Sequence, residues 1–262
     1  MQDKFDKIGK SVIQHGTFNN RIYLLKLAPD ETEDIIRKMD ELAEKKGYTK
    51  IFAKIHAEKW PQFLLEGYII EAYIPDFYNG ESDCLLVSKF NDPKRRKIPT
   101  EKMQSFIDLL ETAGTNGNST KENQHSFTLR ELNEKDAVVI SEIFNRVFET
   151  YPFPVHDPEY LKKTMRDKTA RYYGIWDKND LIGISTAETD LNFENAEMTD
   201  FAVLPEYRGQ NLALHLLNFM ENEMKAEGIK TVYTIARLGI PGMNKTFIKS
   251  GYKYTGTLVK NT

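Results

Sequence analysis

The sequence contains very little cysteine, no excess of positive charge and no long apolar run, and each scarcity excludes a class of protein. Cys84 is the single cysteine, so an internal disulfide is excluded, and its apolar neighbours predict a buried structural residue rather than a nucleophile. The formal net charge of −3 gives no basic signature for nucleic acid or an anionic membrane. Because the sequence lacks a bilayer-spanning run and a secretory signal, the composition predicts a soluble cytoplasmic protein.

The length and composition fit a folded protein with one large domain or two small ones. Of the 262 residues, 40% are hydrophobic, which suits a substantial core. Residues 113–124 interrupt the hydrophobic pattern with a polar, glycine-containing stretch, as expected of a linker. We therefore predict an N-terminal α/β domain over 1–115, a linker over 113–125 and a C-terminal domain over 126–262.

The C-terminal part has the hydrophobic periodicity of alternating strands and helices. Asn133 or Asp136 is the expected cap of its first helix. The two prolines of residues 151–154 make that segment a loop. Predicted strands cover residues 127–132, 170–176, 181–189, 197–203, 231–236 and 252–259, and predicted helices cover 136–148, 157–166, 212–227 and 244–250.

The N-terminal part carries an α/β pattern of its own. Predicted strands cover residues 20–26, 50–55, 68–74 and 83–90, and predicted helices cover 31–46, 58–66 and 98–113. Gly47 follows the first of these helices in the position typical of a helix end.

The most informative segment joins the strand over 197–203 to the helix over 212–227. Its sequence, Leu-Pro-Glu-Tyr-Arg-Gly-Gln-Asn-Leu-Ala over residues 204–213, reads as a tight polar turn that enters a helix. The first turn of a helix presents free backbone N–H groups, and the helix dipole adds partial positive charge there. This segment is therefore a predicted seat for a pyrophosphate.

This loop resembles the acetyl-CoA loop of the GNAT superfamily of N-acetyltransferases, whose pattern is Arg/Gln-x-x-Gly-x-Gly/Ala. Arg208, Asn211 and Ala213 fall on the pattern, with asparagine where glycine is usual. Asparagine tolerates the left-handed conformation better than other non-glycine residues, so we expect the loop to be retained. The order of predicted elements over 127–259 also matches the family.

The resemblance implies an α/β fold of the α+β kind, with a central mixed, twisted sheet in the C-terminal domain. The N-terminal domain is either a smaller, degenerate half of the same fold or an unrelated α/β cap. A family domain has one more strand than this chain provides after residue 259. We expect the N-terminal domain or a second subunit to complete that sheet edge, because an open edge is a liability.

The resemblance also implies how acetyl-CoA, the expected co-substrate, is bound without a metal. Pantetheine inserts beside the central strand and pairs with the backbone of Ala202 and Val203, and the Val203 N–H polarises the thioester carbonyl. The pyrophosphate is surrounded by the loop. The implied cofactor-binding residues are Ala202, Val203, Arg208, Gly209, Gln210, Asn211, Leu212, Ala213, Asn244 and Phe247.

The catalytic residues are less well determined by the pattern. Glu197 lies where some members of the family carry a catalytic glutamate. Asp200 lies nearer to the thioester, but strict strand alternation places it on the opposite face unless a bulge intervenes. Phe247 occupies the position of the family's tyrosine acid, so Tyr252 or Tyr254 replaces it, or the thiolate of coenzyme A leaves without an acid. Glu188 and Asp190 are weaker candidates for the base.

Within the superfamily, the chain is similar to the β-lysine N-acetyltransferases. The similarity lies in residues 71–84, 197–203 and 242–258, in the loop of Arg208 and in the two-domain length. It implies acetylation of the terminal amine of 3,6-diaminohexanoate, which gives a neutral osmolyte used under salt stress. The substrate side is expected to include Arg146, Glu149, Tyr151 and Tyr172, with Arg171 as a second candidate to clamp the carboxylate.

Two other functions stay open. The chain acetylates another small amine or a protein amine, or it is a non-catalytic acetyl-CoA sensor, which Asn211 and Phe247 would favour. The expected partner is a small-molecule amine, with no nucleic acid and no membrane, and a homodimer is a further alternative. Release of coenzyme A thiol with a panel of amines distinguishes these functions.

Overall fold

The computed structural model describes residues 3–113, 127–151 and 153–261, so the predicted linker lies outside the described residues except at Ala113. The chain divides into two compact units. The first is Met1–Pro99 together with Tyr254–Thr262, and the second is Thr100–Lys253. None of the helices in the described part is long and apolar enough to cross a bilayer.

The first unit is a six-stranded sheet with two helices. Strands β3 and β4 are parallel and are joined by α1, and the other neighbouring strands are antiparallel. The sheet order is β1-β2-β3-β4-β6-β5. The elements are β1 (Lys4–Ile8), β2 (Ser11–Gly16), β3 (Arg21–Lys26), α1 (Thr32–Lys46), β4 (Lys50–His56), α2 (Trp60–Leu65), β5 (Ile69–Tyr78) and β6 (Ser82–Phe90).

The second unit is a five-stranded sheet with helices on both faces. The sheet order is β11-β10-β9-β8-β7, with β10 and β11 parallel and the rest antiparallel. The elements are α3 (Thr100–Ala113), β7 (Thr128–Leu132), α4 (Ala137–Val147), α5 (Pro158–Arg166), β8 (Ala170–Asp177), β9 (Asp180–Asp190), β10 (Asn195–Val203), α6 (Leu212–Ala226), β11 (Thr231–Tyr233) and α7 (Pro241–Lys249). This mixed α/β sheet confirms the expected fold class.

The two faces of this sheet carry separate apolar cores. Helices α4 and α5 cover one face, where Ile140, Phe144 and Leu161 pack against Tyr172 and Ile184. Helices α6 and α7 cover the other face with a core of residues from both helices and the sheet, namely Leu212, Leu216, Met220 and Phe247 against Tyr173 and Met198. The apolar core in which a side chain packs therefore shows on which face of the sheet that side chain lies.

The helix ends follow the capping signals of the sequence. The Asn133 side chain accepts from the Lys135 N–H at 3.0 Å, and Asp136 accepts from the Asn133 N–H at 2.9 Å. Both predicted cap residues thus act together as a capping box in the 3-10 turn before α4. Gly47 ends α1 with φ 70°, as expected of a left-handed helix end.

The predicted last strand, 252–259, is wrong. Residues 254–261 form no regular strand and belong to the first unit, where Gly256 makes an isolated bridge to Ala72 of β5. Among the described residues, the strand β11 pairs with β10 alone, and completion of this edge by the N-terminal domain or a second subunit stays a prediction.

A buried ion pair holds this final segment in the first unit. Lys50 Nζ lies 2.7 Å from Glu71 Oε2 and donates to the Val259 carbonyl at 2.8 Å. The Val259 N–H donates to Glu71 Oε1 at 2.8 Å. Burial lowers the pKa of Lys50 to about 8, against the opposing charge of Glu71. The chain end is therefore tied to β4 and β5 by charge as well as by backbone pairing.

Cys84 behaves as its sequence context predicts. It lies in β6 with no exposed surface, and burial raises the pKa of its thiol to about 11. A thiol that stays protonated at neutral pH is a poor nucleophile. Cys84 is therefore a packing residue of the first unit.

Candidate active site

Strand β10 separates from β11 partway along its length. Parallel pairing joins residues 195–197 only, to residues 231–233, although β10 continues to Val203. Within the described residues, the rest of β10 pairs with no strand on that side. The two strands therefore leave an open split beside the C-terminal end of β10.

The backbone of Val203 faces this split. The Leu204 N–H donates to the Ile182 carbonyl of β9 at 3.0 Å, and Val203 stands opposite Gly183. Because successive residues of a strand direct their N–H groups to opposite edges, the Val203 N–H points away from β9. The Val203 carbonyl accepts from Arg208 Nε at 3.2 Å. One free amide is thus presented where β10 and β11 part.

The segment after Val203 forms a cradle of backbone amides, residues 209–213. Gly209 has φ 83° and Asn211 has φ 59° and ψ 22°, so both lie in the left-handed region. In the described part of the chain, the amides of residues 209–213 donate to no backbone carbonyl, whereas the Leu214 N–H donates to Asn211. Asparagine adopts the left-handed conformation at Asn211 that the sequence predicted for it.

The cradle has the electrostatics of an anion site. It opens on the N-terminus of α6, whose aligned peptide dipoles favour negative charge, and Arg208 lies at its edge. A Cβ at Gly209 would meet no atom within 4 Å, so the loop is open on its outer side. These features fit a diphosphate that approaches the backbone from outside.

The other expected cofactor residues support the split rather than line it with free polar groups. Ala202 is buried opposite Ile184, and strand alternation turns its backbone toward β9. Asn244 donates through Nδ2 to the carbonyls of Arg237 and Ile240, both at 2.9 Å, and so fixes the loop before α7. Phe247 packs edge-on against Phe201 of β10, with ring centroids 5.5 Å apart.

A β-bulge in β10 changes the face to which its side chains belong. The register jumps between Thr199 and Ala202, so Asp200 and Phe201 together stand opposite Ser185. Asp200 takes φ 54°, a conformation that asparagine and aspartate tolerate but most side chains do not. The strict alternation considered from sequence is thereby broken, and Asp200 points to the α4 and α5 face.

Asp200 is held there by hydroxyl groups. The Tyr151 hydroxyl donates to Asp200 Oδ1, and the Thr199 hydroxyl donates to the same oxygen at 3.3 Å. The residue is only 7% exposed, and burial raises the pKa of its carboxyl while the neighbouring hydroxyls oppose the shift. A buried carboxylate with a raised pKa is a better proton acceptor near neutral pH than an exposed one.

Glu197 lies on the same face as Asp200. Met198 belongs to the α6 core, so the preceding Glu197 points to the α4 and α5 side. Its cross-strand partner is Glu188, which stands in turn opposite Ala170. Directly opposed residues of an antiparallel pair share a face, so these two carboxylates are neighbours.

Tyrosine side chains surround these carboxylates. Tyr172 is buried and bonds through its hydroxyl to Thr164 at 2.9 Å. Burial raises the pKa of Tyr160 on α5, and the negative charges of Glu188 and Asp200 add to the shift. We name this set the acidic face, and it consists of Tyr151, Tyr160, Tyr172, Thr186, Glu188, Glu197 and Asp200.

The remaining candidates for the substrate side lie elsewhere. Arg146 of α4 pairs with Glu206 at 2.8 Å, and so braces the turn that precedes the amide cradle. Glu149 is exposed after the end of α4. Arg171 binds Glu131 through two nitrogens, at 2.8 and 2.7 Å, and also contacts Glu227 beside α6. The structure does not bring Arg171 to the acidic face.

Tyr252 is likewise separated from the acidic face. Its ring packs against Phe247 in the core under α6, with centroids 5.1 Å apart. Burial and the nearby carboxyl of Glu221 raise the pKa of its hydroxyl. The expected acid therefore lies on the α6 side of the sheet, whereas Glu197 and Asp200 lie on the other.

Two residues of the acidic face were missed from the sequence. Tyr160 lies in α5 next to the core residue Leu161, where an aromatic side chain reads as ordinary core packing. Thr186 lies in a continuous buried run of β9, which hides the alternation of that strand. The register of β9 against β8 and β10 was the missing information. Among residues 3–113, 127–151 and 153–261, no group of three His, Cys, Asp or Glu is arranged to hold a metal ion.

Comparison with protein families gives one match, to the acetyltransferase (GNAT) family, over residues 138–239. This range includes β8 to β11, the bulge and the amide cradle.

Three relatives match nearly the whole chain. A protein of Methanococcus maripaludis, beta-lysine N(6)-acetyltransferase, is 38% identical over 99% of this chain and 93% of its own length. N-acetyltransferase YodP of Bacillus subtilis is 34% identical over 96% of this chain and 90% of its own. Beta-lysine N(6)-acetyltransferase of Methanosarcina mazei is 28% identical over 87% of this chain and 91% of its own length.

Proposed function

The chain belongs to the GNAT family of acetyltransferases, and on that basis we propose that it acetylates the terminal amine of β-lysine, 3,6-diaminohexanoate. It is an N-acetyltransferase that uses acetyl-CoA as its co-substrate. The observation that carries the proposed substrate is the placement of a carboxylate-rich, tyrosine-lined face beside the split of β10. β-Lysine has two ammonium groups and one carboxylate, so it is complementary in charge to that face.

The amide cradle and the split have separate roles in this reaction. Residues 208–213 would hold the diphosphate, and the Val203 N–H would donate to the thioester oxygen, where negative charge develops. Acetyl-CoA supplies an activated acyl group, which the free amine takes from the thiol through a tetrahedral intermediate. Backbone donors need no reorganisation as the charge forms, which is why a rigid strand end is a suitable oxyanion site.

Tyr151 and Asp200 form the proposed proton route. A substrate ammonium beside Tyr151 gives its proton to the tyrosine oxygen while the Tyr151 hydroxyl proton moves to Asp200 Oδ1. The amine becomes neutral and nucleophilic, and the charge of Asp200 is neutralised. The burial that raises the pKa of Asp200 favours this transfer.

Glu197 is the second candidate for the base. It shares the acidic face but lies six positions before Val203, whereas Asp200 lies three before it. At about 3.3 Å per strand residue, Asp200 is nearer to the split by about 10 Å. We therefore assign the proton route to Asp200 and substrate binding to Glu197. Tyr252 stays the candidate to protonate the thiolate, although its packing beside Phe247 gives this role no support.

The test of the proposed function is release of coenzyme A thiol with an amine panel. We expect turnover of acetyl-CoA with β-lysine and much less with lysine or spermidine. Turnover with another amine alone would reassign the substrate within the family. Tight binding of acetyl-CoA by calorimetry without turnover of any amine would favour the sensor function instead.

We propose that the product serves as an osmolyte under salt stress. Acetylation removes one positive charge from a molecule with two ammonium groups and one carboxylate, which leaves a neutral zwitterion. Such a solute adds little to the ionic strength and so disturbs protein charges little. Accumulation of the acetylated product in salt-stressed cells, absent from a deletion strain, would test this role.

For the rest of the molecule we infer that the first unit is a degenerate relative of the second. In both sheets a hairpin strand leads through a helix to a parallel neighbour, through β3, α1 and β4 and through β10, α6 and β11. β3 and β4 pair over residues 21–24 and 50–53, and Lys26 is followed by a short turn without an amide cradle of the kind found in residues 209–213. Calorimetry with coenzyme A on a variant whose amide cradle, residues 209–213, is disrupted would test whether the first unit binds coenzyme A.

We propose a homodimer in which the β11 edge meets a second copy of the chain. Among the described residues, β11 pairs with the strand β10 alone, and the edge strand of a sheet is a common place for a second chain to pair. Light scattering after size-exclusion chromatography would give the oligomeric state directly.

A further inference from the structure

We propose that Glu188 is a specificity-determining residue that binds the second ammonium group of a diamine substrate, the one that is not acetylated. This inference rests on the proposed function, since it concerns the amine that enters the acidic face. It adds a residue of β9, whereas the proton route uses β10 and the loop after α4.

The position of Glu188 favours a cation beside it. It stands directly opposite Glu197 in the antiparallel pair of β9 and β10, and both side chains point to the acidic face. Two carboxylates on one face attract a positively charged group that approaches that face. Glu188 is exposed, so a substrate from solvent can reach it.

Residues that stand opposite one another across neighbouring strands form a row. A buried hydroxyl lies on the same face, in the row next to that of Glu188 and Glu197. Thr186 stands opposite Thr199 on β10 and Tyr172 on β8. Its residue is 1% exposed, and its Oγ1 lies near Asp200 yet makes no hydrogen bond of ordinary geometry. An unsatisfied buried hydroxyl is costly, so a polar ligand atom at this row would be stabilised.

The spacing along β9 suits a diamine whose nitrogens are separated by four carbons. Asp200 stands beside Ser185 in the bulge, three residues from the row of Glu188 and Glu197, or about 10 Å along the strands. The two nitrogens of β-lysine are separated by five bonds, or about 6 Å in an extended chain. With one ammonium at Tyr151 and Asp200, the remaining distance of about 4 Å lies within the reach of the Glu188 side chain.

Tyr160 closes the same region from α5. Its ring packs against the core beside Tyr172, and the charges of Glu188 and Asp200 both act on its hydroxyl. Aromatic faces attract ammonium groups, so this ring is a suitable wall for the methylene chain and the second cation. The residues around Glu188 thus suit an aliphatic diamine rather than a monoamine.

The experiment compares Glu188→Gln with the wild type on two matched substrates, β-lysine and 6-aminohexanoate. The second has the terminal amine and the carboxylate but lacks the second ammonium. We expect the ratio of kcat/KM for β-lysine over 6-aminohexanoate to fall about tenfold to hundredfold in the variant, because one charged contact is lost. The loss should be in KM for β-lysine, with kcat nearly unchanged, and Glu188→Asp should restore part of it.

The matched control is Asp180→Asn, which removes an exposed carboxylate at the other end of β9. It should leave the ratio unchanged. An unchanged ratio in Glu188→Gln, or an equal loss on both substrates, would overturn the inference and assign Glu188 a structural role.

The assay separates this inference from the proposed substrate. If the wild type acetylates other amines but ignores β-lysine, the β-lysine assignment fails, and the same ratio is measured between 1,4-diaminobutane and butylamine, since 1,4-diaminobutane has the same separation of nitrogens. A fall of that ratio in Glu188→Gln supports its role, and an unchanged ratio overturns it. A wild type that binds acetyl-CoA but acetylates no amine overturns both.

Discussion

Asp200 combines a strained backbone with a buried charge, and both features suit the proposed proton route. Its left-handed conformation is the bulge that turns the side chain toward Tyr151, and burial makes its carboxyl more basic. Residues in sparsely populated conformations persist when the surrounding structure fixes them, and they cluster at functional sites. At this position the strain places the proposed base three residues before Val203, the proposed oxyanion donor.

The first prediction concerns the pH dependence of catalysis. Asp200 must be ionised to accept a proton, and burial raises its pKa, so kcat/KM is lost as pH falls through a value above that of an exposed aspartate. Asp200→Asn should reduce kcat/KM by about 10² to 10⁴. It should also remove the acidic limb of the pH profile, which is the loss of kcat/KM at low pH. Tyr151→Phe should move the limb to higher pH, because the Tyr151 hydrogen bond opposes the shift.

Glu197→Gln is the comparison for this experiment. It should raise KM for the amine while the acidic limb keeps its position and calorimetry gives unchanged affinity for coenzyme A. Disappearance of the limb in Glu197→Gln, with Asp200→Asn still active, would assign the base to Glu197.

At the residue scale, the sequence predicted which carboxylates are candidates for the base but not how they are arranged. Glu197 and Asp200 were predicted as alternatives on opposite faces, and the bulge between Thr199 and Ala202 brings them to one face. A single inserted residue reverses the facing of every later side chain, and no composition signal marks it here because the bulge residue is aspartate rather than glycine.

At the element scale, the entry to α6 depends on two left-handed residues, Gly209 and Asn211. Both turn successive amides outward before the helix begins, so the cradle is a property of backbone conformation rather than of side chains. The sequence predicted this cradle because the residue types at these positions are those that tolerate positive φ.

We predict that Asn211→Ala weakens coenzyme A binding and Asn211→Gly does not. Alanine carries a cost of about 1–2 kcal/mol in the left-handed region, so the free loop relaxes and binding must restore it. The dissociation constant should rise about fivefold to thirtyfold for alanine, as measured by calorimetry. Gln210→Ala lies in the same loop without a positive φ and should stay within about twofold. Equal affinity of the alanine and glycine variants would contradict the backbone role.

Elements with a clear apolar period were predicted nearly to the residue, and the first two strands were not predicted at all. β1 is almost wholly exposed, and β2 buries Gln14 and His15, with His15 Nδ1 3.0 Å from the Tyr48 hydroxyl. Buried polar residues remove the alternation from which a strand is recognised. Their partners are distant in sequence, so the strands become recognisable only from the fold.

At the scale of the whole molecule, the chain order and the units do not coincide. Residues 254–261 follow the second unit in sequence but bind the first. The carbonyls of Val259, Lys260 and Asn261 accept from Lys50, Arg95 and Arg21 respectively. The predicted final strand failed for this reason, since the segment has the composition of a strand but its partners are charged side chains far away in sequence.

The last prediction tests this connection by ending the chain at Lys253. Without the final segment, Lys50 and Glu71 lose the Val259 backbone as a shared partner. Arg21 loses the Asn261 carbonyl, and Arg95 loses the Lys260 carbonyl. Buried charges that lose partners cost about 3–5 kcal/mol, so the free energy of opening β4 should fall by about that amount. Hydrogen exchange should show faster exchange in peptides of β4 and unchanged protection in β9. Loss of protection in β9 instead, although the deleted residues follow the second unit directly, would contradict the assignment of this segment to the first unit.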